Sequence, residues 1–234
     1  MAQRLAQTQI EAVFSYAGRT KAPIAQPLQE RIGGFGGVTG LVGYLRSEKI
    51  THVIDATHPF AAQMSANAFG ACLELSIPLI RLERGPWVAQ PGDQWTHVAQ
   101  LEDAPAALPD AASRVFLAIG KQHIGLFSAK LQHHYLLRLV DAPDGPLPLP
   151  HTHVVVARGP FDLINDTALL KMHGITHIVA KNAGGRGAQA KIDAARALGL
   201  AVIITDRPKI PGDAVARTVD EAMQWLRHST ERGV

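Results

Sequence analysis

The chain has 234 residues, of which 47% are hydrophobic and 18% charged, with a formal net charge of +3. That supplies apolar material for one large or two small globular cores; no run of roughly 18 apolar residues is available for a membrane span, and the first residues lack a secretory signal pattern. The basic residues are scattered, which argues against a nucleic-acid face and for a small anionic ligand or a plain solvated surface, and the lone Cys72, set in an apolar helical pattern, excludes an internal disulfide, reads as an inert buried thiol and fits a reducing, cytoplasmic setting.

Along the chain, short β-branched runs alternate with longer amphipathic ones. A helix is expected over 2–8, then a strand over 11–16, "EAVFSY". Its end and the turn behind it, with Ser15, Gly18, Arg19 and Thr20, carry no acid. In a dinucleotide fold the end of the second strand faces the adenine ribose, where an acid binds a 2′-hydroxyl and an arginine accepts a 2′-phosphate. This turn therefore favours a phosphorylated cofactor, although an ordinary turn with a surface arginine has the same letters. Next comes "RIGGFGG", residues 31–37, before a helix expected over 39–48. Gly34, Phe35 and Gly36 mark it as a loop whose backbone a ligand could approach closely, with a merely flexible loop as the alternative.

The stretch 52–69, "HVIDATHPFAAQMSANAF", opens as a buried strand (52–55) and continues as a helix (60–75). Asp55 can bond loop N–H groups, Thr57 or His58 can cap the helix, and Pro59 suits its first turn. Folding does not require His58 and Phe60 there, so these two become candidates for touching a cofactor or a flat substrate. A strand over 78–82 follows. Residues 88–113 are then rich in Pro, Asp and Ala. A domain boundary is expected there, giving domains 1–100 and 101–234.

The second series has strands expected over 114–119, 134–140, 153–158, 176–181 and 201–205, and helices over 121–129, 161–173, 188–198 and 219–229. Near-continuous apolar strands alternating with helices predict an α/β fold with parallel sheets covered on both faces. After 176–181 comes a basic, glycine-rich loop with Lys181, Asn182, Gly184, Gly185, Arg186 and Lys191. Gly185-x-Gly187-x-x-Ala190 with Asp206 further on imitates a dinucleotide fingerprint. The loop's cations suit carboxylates or phosphates better, with Lys191 equally readable as a solvating residue on a helix face. No metal site is expected, since neither His151-x-His153 nor His133-His134 has a third ligand at a recognised spacing.

The segments "RIGGFGG", "VIDATHPFA", "RLERGPW", "ARGPFDL" and "AKNAGGRGAQAKIDAARALGLAVIITDRP" together resemble the precorrin-6A reductase family of cobalamin biosynthesis, over about residues 14–212. The resemblance implies two Rossmann-like parallel-sheet domains with the active site in the cleft between them. It implies NADPH as cofactor and a polycarboxylate tetrapyrrole as substrate, with neighbouring pathway enzymes as protein partners and neither nucleic acid nor membrane. On this reading Ser15, Gly18, Arg19, Thr20, Gly34, Phe35, Gly36, Thr57 and Pro59 bind the cofactor. Phe60, Asn182, Gly184, Gly185, Arg186 and Lys191 bind the substrate. His58 positions a ring, and Lys181 delivers or relays a proton. The family's opening strand and Gly-rich turn have no counterpart here, where "MAQRLAQTQ" resembles the second half of the helix that would follow them. A cobalt-precorrin-6A reductase, a non-catalytic tetrapyrrole or nucleotide carrier, and an NADP-dependent reductase of another substrate are the alternatives.

Overall fold

The computed structural model describes residues 1–18, 24–143 and 145–231, so Arg19 and Thr20 lie outside the described residues. The chain forms two compact units, Met1–Arg84 with Lys209–Val234, and Gly85–Pro208. The first contains α1 (Ala2–Leu5), β1 (Val13–Tyr16), β2 (Gln29–Ile32), α2 (Gly37–Ser47), β3 (Val53–Asp55), α3 (Ala62–Leu75) and β4 (Leu79–Leu82). The second contains β5 (Gln94–Val98), α4 (Ala104–Ala107), β6 (Arg114–Ala118), β7 (His134–Leu139), β8 (Thr152–Val156), α5 (Leu163–Met172), β9 (His177–Lys181), α6 (Ala190–Leu198) and β10 (Ala201–Thr205). The chain then returns to the first unit as β11 (Val215–Ala216) and α7 (Val219–Glu231). No helix among the described residues is long and apolar enough to cross a membrane.

The second unit is a doubly wound α/β fold. Its six strands are all parallel, in the order β5-β10-β9-β6-β7-β8. From β6 the chain steps to β7 and β8, then crosses back to β9 on the other side of β6 and continues to β10. The order reverses between β6 and β9, and the crevice outside their carboxyl ends is where such sheets bind ligands. The apolar strands bury both faces. Val115, Leu117, Leu137, Val179 and Ile203 enter one core, and Phe116, Leu136, Ile178, Val202 and Ile204 enter the other, beneath α5 and α6. The period of two along each strand is what divides them.

The first unit holds two smaller parallel sheets, β1-β2 and β11-β4-β3. Its main core joins Leu41, Val42 and Leu45 of α2 to Ala68, Ala71 and Cys72 of α3. Burial, with the nearby Asp55 charge adding to it, pushes the Cys72 thiol up to about 11, so at neutral pH it is an inert thiol.

The boundary differs from the one expected near residue 100. The stretch 88–113 is not a linker. It carries β5, an edge strand paired to β10, and then Leu101, Ala104 and Leu108, all buried in the second unit's core. The C-terminal segment does not belong with 101–208. β11 pairs with β4, and Met223 and Leu226 of α7 bury against Leu5, a helical 3.6-residue period finding an apolar surface at the chain's other end.

Candidate active site

In the first unit the glycine-rich loop leads from β2 into α2. Gly36 is the helix N-cap, in the left-handed region at φ 78°, with no side-chain cap. A Cβ placed at Gly33, Gly34, Gly36 or Gly37 would meet nothing within 4 Å. Gly40 is different, because a Cβ there would lie 1.7 Å from the Phe35 carbonyl oxygen. The loop is held by Arg31, which sequence reasoning did not single out. Its guanidinium lies 3.8 Å from the Phe35 ring centroid and donates to the carbonyls of Gly33 (2.6 Å) and Gly34 (2.8 Å). It also reaches Ser15 Oγ at 3.5 Å. One planar fork thus joins the end of β1 to the loop. Phe35, expected at the cofactor, has one ring face covered by Arg31 and a tilted contact with Tyr44 at 5.1 Å. Gly18, at φ 73°, ends the described part of the turn after β1.

At the end of β3, the buried Asp55 carboxylate accepts the Thr57 N–H at 3.0 Å. Neither Thr57 nor His58 caps the helix, contrary to expectation, because α3 begins at Ala62 with Ala61 as N-cap. His58 instead turns its ring back, and Nδ1 accepts the Phe60 N–H at 3.2 Å. Thr57 Oγ1 lies 3.3 Å from Ser65 Oγ. Pro59 is buried and Phe60 half-buried, while Thr57 and His58 are exposed. The dense turn is therefore a local hydrogen-bonded knot that presents one imidazole to solvent.

In the second unit Lys181 is the last residue of β9, at the reversal of strand order. Its Nζ donates to His123 Nε2 at 3.0 Å, and Gln122 Nε2 lies 3.1 Å from the same nitrogen. His123 stands just behind β6, so the two strands flanking the crevice each contribute one member of this pair. Sequence reasoning missed His123. The signal was a Gly-Lys-Gln-His turn after a strand, but only the strand order makes it a neighbour of Lys181.

Much of the rest of the basic loop is occupied with packing. Asn182 is buried, and its amide clasps Trp87 at both ends: Oδ1 accepts the Trp87 N–H (2.8 Å) and Nδ2 donates to the Trp87 carbonyl (3.1 Å). Both ends of the amide expected to meet the substrate are thus engaged with Trp87. Gly184, at φ 64°, leaves no room for a Cβ, which would lie 1.9 Å from the Gly85 carbonyl oxygen. Lys191 is not the solvating residue on a helix face that was one reading of it. It is buried, with Nζ donating to the Ala188 carbonyl (2.6 Å) and lying 4.7 Å from the Trp87 ring centroid. Arg207, not foreseen, donates to the carbonyls of Asn182 (2.8 Å) and Ala183 (3.0 Å) and holds the loop from below. Gly185 turns the chain into a short 3₁₀ segment, Arg186–Ala188, whose Arg186 is exposed. That segment precedes α6, and Asp206 pairs with His97 at 2.7 Å, so the dinucleotide-like spacing carries no dinucleotide geometry. Among the described residues no group of three His, Cys, Asp or Glu side chains could hold a metal ion.

Comparison with known proteins points to one family. A family model described as precorrin-6x reductase CbiJ/CobK matches residues 1–227. A precorrin-6A reductase of Rhodobacter capsulatus is 62% identical over 236 residues, covering 100% of this chain and 94% of the relative. One of Rhodococcus erythropolis is 42% identical, covering 95% of this chain and 90% of the relative. A solved structure of CobK precorrin-6A reductase superposes with a TM-score of 0.94 at 62% identity, covering 97% of this chain and 90% of that one.

Proposed function

The chain belongs to the precorrin-6x reductase family, and from that premise we propose that it reduces precorrin-6A to its dihydro product, precorrin-6B, with NADPH, in the cytoplasm. The relatives named for this substrate support the metal-free tetrapyrrole over its cobalt-bearing counterpart. The observation that carries the reading of the site is the Lys181–His123 pair at the point where the strand order of the six-stranded sheet reverses.

The cofactor, when bound, supplies a hydride. The residues of the first unit fit such a group. The glycine loop has open space above Gly33, Gly34 and Gly36. The N–H groups at the start of α2 lack a side-chain cap, leaving the positive end of an eleven-residue helix for a pyrophosphate. His58 and Phe60 at the end of β3 offer a ring edge and an apolar face to a flat group. Arg19 and Thr20 are proposed to favour the 2′-phosphate.

Reduction of a carbon–carbon double bond also needs one proton on the neighbouring carbon. Lys181 Nζ, as an ammonium, can deliver it. His123 Nε2, which accepts from the ammonium in the free protein, can take a proton from solvent once Nζ has given its own to the substrate, and return it to the neutral amine. Desolvation beside a flat ligand lowers an amine's pKa and makes it a better donor. Arg186, exposed at the rim of the same loop, is proposed to meet a substrate carboxylate.

The test is Lys181→Ala, titrated with each ligand separately under anaerobic conditions while the macrocycle spectrum is followed. Turnover should fall by a factor of about a hundred or more, with NADPH affinity within about twofold of the parent, well under the ~1.4 kcal/mol that makes a tenfold change. An unchanged rate, or loss of NADPH binding with substrate binding intact, would refute the assignment of roles. Tight binding of both ligands by the parent protein without turnover would make it a carrier.

A further inference from the structure

Four of the chain's 11 histidines gather at the amino-terminal edge of the six-stranded sheet, the end opposite Lys181. The register places them. Arg114 on β6 stands beside His134 on β7. Tyr135 pairs with Thr152, so the preceding His134 stands beside His151, just ahead of β8. Arg114, His134 and His151 thus form one rung across three adjacent strands, spaced about 4.8 Å apart. His153, two residues further along β8, projects from the same face and meets His173 at the end of α5. The His134 and His151 rings stack at 4.9 Å with 21° between their planes, and His153 and His173 approach to 4.5 Å. These side chains line a shallow cavity of about 290 Å³.

The chemistry of this cavity is one-sided. Its titratable or charged lining consists of Arg114 from β6, His134 from β7, His151 and His153 from β8 and its approach, His173 from α5, and Tyr135. No Asp or Glu is among the lining residues. Tyr135 spends its hydroxyl on the Lys130 carbonyl, and burial holds its phenol at about 12. Arg114 donates its Nε to the His173 carbonyl, and among the described residues its two terminal amino groups have no protein partner. Nor do the ring nitrogens of the four histidines make a hydrogen bond among the described residues. Like charges directly opposite on neighbouring strands repel. An anion placed among these groups would offset such repulsion. A transition metal would suit paired imidazoles, but the permanent charge of Arg114 opposes a cation, and no three ligands converge.

We infer that this pocket binds a compact oxyanion of charge two or more, taken up together with protons on its histidines. The terminal nitrogens of Arg114 supply a fixed cationic fork, and the imidazoles add charge as they protonate. In the free protein burial, then the charges of His153 and Arg114, hold His173 below the ordinary histidine range. A bound anion opposes those charges and raises it. Because the bound-state pKa lies above the free-state pKa, affinity rises as pH falls through the interval between them and is flat outside it.

The probe is sulfate, whose own charge does not change over this range. Full-length protein is titrated at pH 6 and pH 8 at constant ionic strength, and the histidine ring nitrogens are followed by NMR. Saturable shifts are expected at His134, His151, His153 and His173, with affinity about tenfold tighter at pH 6, within the ceiling of tenfold per pH unit that one linked proton allows. The double variant His151→Gln, His153→Gln should lose most of that affinity while its melting temperature and its reductase rate stay at parent values. Non-saturating shifts, equal affinity at the two pH values, or full retention of binding in the double variant would overturn the proposal. So would zinc ions saturating the same rings with no effect of sulfate, which would make this a metal site.

Discussion

A methyl group added at Gly36 would meet nothing within 4 Å, whereas one added at Gly184 would lie 1.9 Å from the carbonyl oxygen of Gly85 and 2.6 Å from Arg207 Nη2. Both glycines sit in basic, glycine-rich loops behind parallel strands, and both have positive φ. In the first loop the space beside the backbone is empty, and a single arginine shapes it from one side. In the second the space beside Gly184 is filled by neighbouring backbone, although Gly187 is open, and Asn182, Lys191 and Arg207 spend polar atoms inside the protein. Glycine content alone therefore does not mark a ligand loop.

The comparison breaks first at Gly184. Gly184→Ala combines a backbone clash with a left-handed conformation, each worth roughly 1–3 kcal/mol, so a loss of about 4 kcal/mol in unfolding free energy is expected by denaturant titration. A loss no larger than that of Gly36→Ala would erase the distinction between the loops. Asn182→Ala comes next. It strands the Trp87 N–H and carbonyl in a buried place, for roughly 2–4 kcal/mol. Its NADPH affinity should be that of the parent. If stability holds and substrate affinity falls instead, Asn182 is a ligand contact after all.

Much of the fold was legible. All eight strands read from apolar runs are present, six of them with buried side chains and β1 and β8 with partly buried ones. β2, β5 and β11 were not foreseen. β2 is Gln-Glu-Arg-Ile with three of its four residues exposed, β5 shows a buried face only near its end, and β11 has two residues. Pairing made them strands, and pairing is not written locally. The candidate site was less legible for the same reason. Lys181 could be placed at a strand end from its neighbours in sequence, but His123, 58 residues away, becomes its partner only through strand order. The burial of Asn182 and Lys191 was not legible, because a cation or an amide in a loop carries the same letter whether it faces solvent or the ring and backbone of Trp87.

The last two variants sharpen the comparison from the open side. Gly36→Ala meets no clash and carries only the left-handed penalty, about 1 kcal/mol, so it should fold nearly as the parent does. It cannot by itself separate a ligand role from a conformational one, since a shifted loop would also weaken binding. Gly34→Ala can. Gly34 does not have a positive φ, and a methyl there has open space around it. Nothing in the free protein asks for glycine at this position, so unfolding should change by no more than about 0.5 kcal/mol, the range of surface substitutions. If the loop backbone lies against the cofactor, the same methyl occupies the ligand's place, and NADPH affinity should drop by about tenfold, equivalent to ~1.4 kcal/mol. A titration that shows unchanged affinity beside unchanged stability would leave Gly34 facing solvent in the complex, and the cofactor would have to be sought away from this loop.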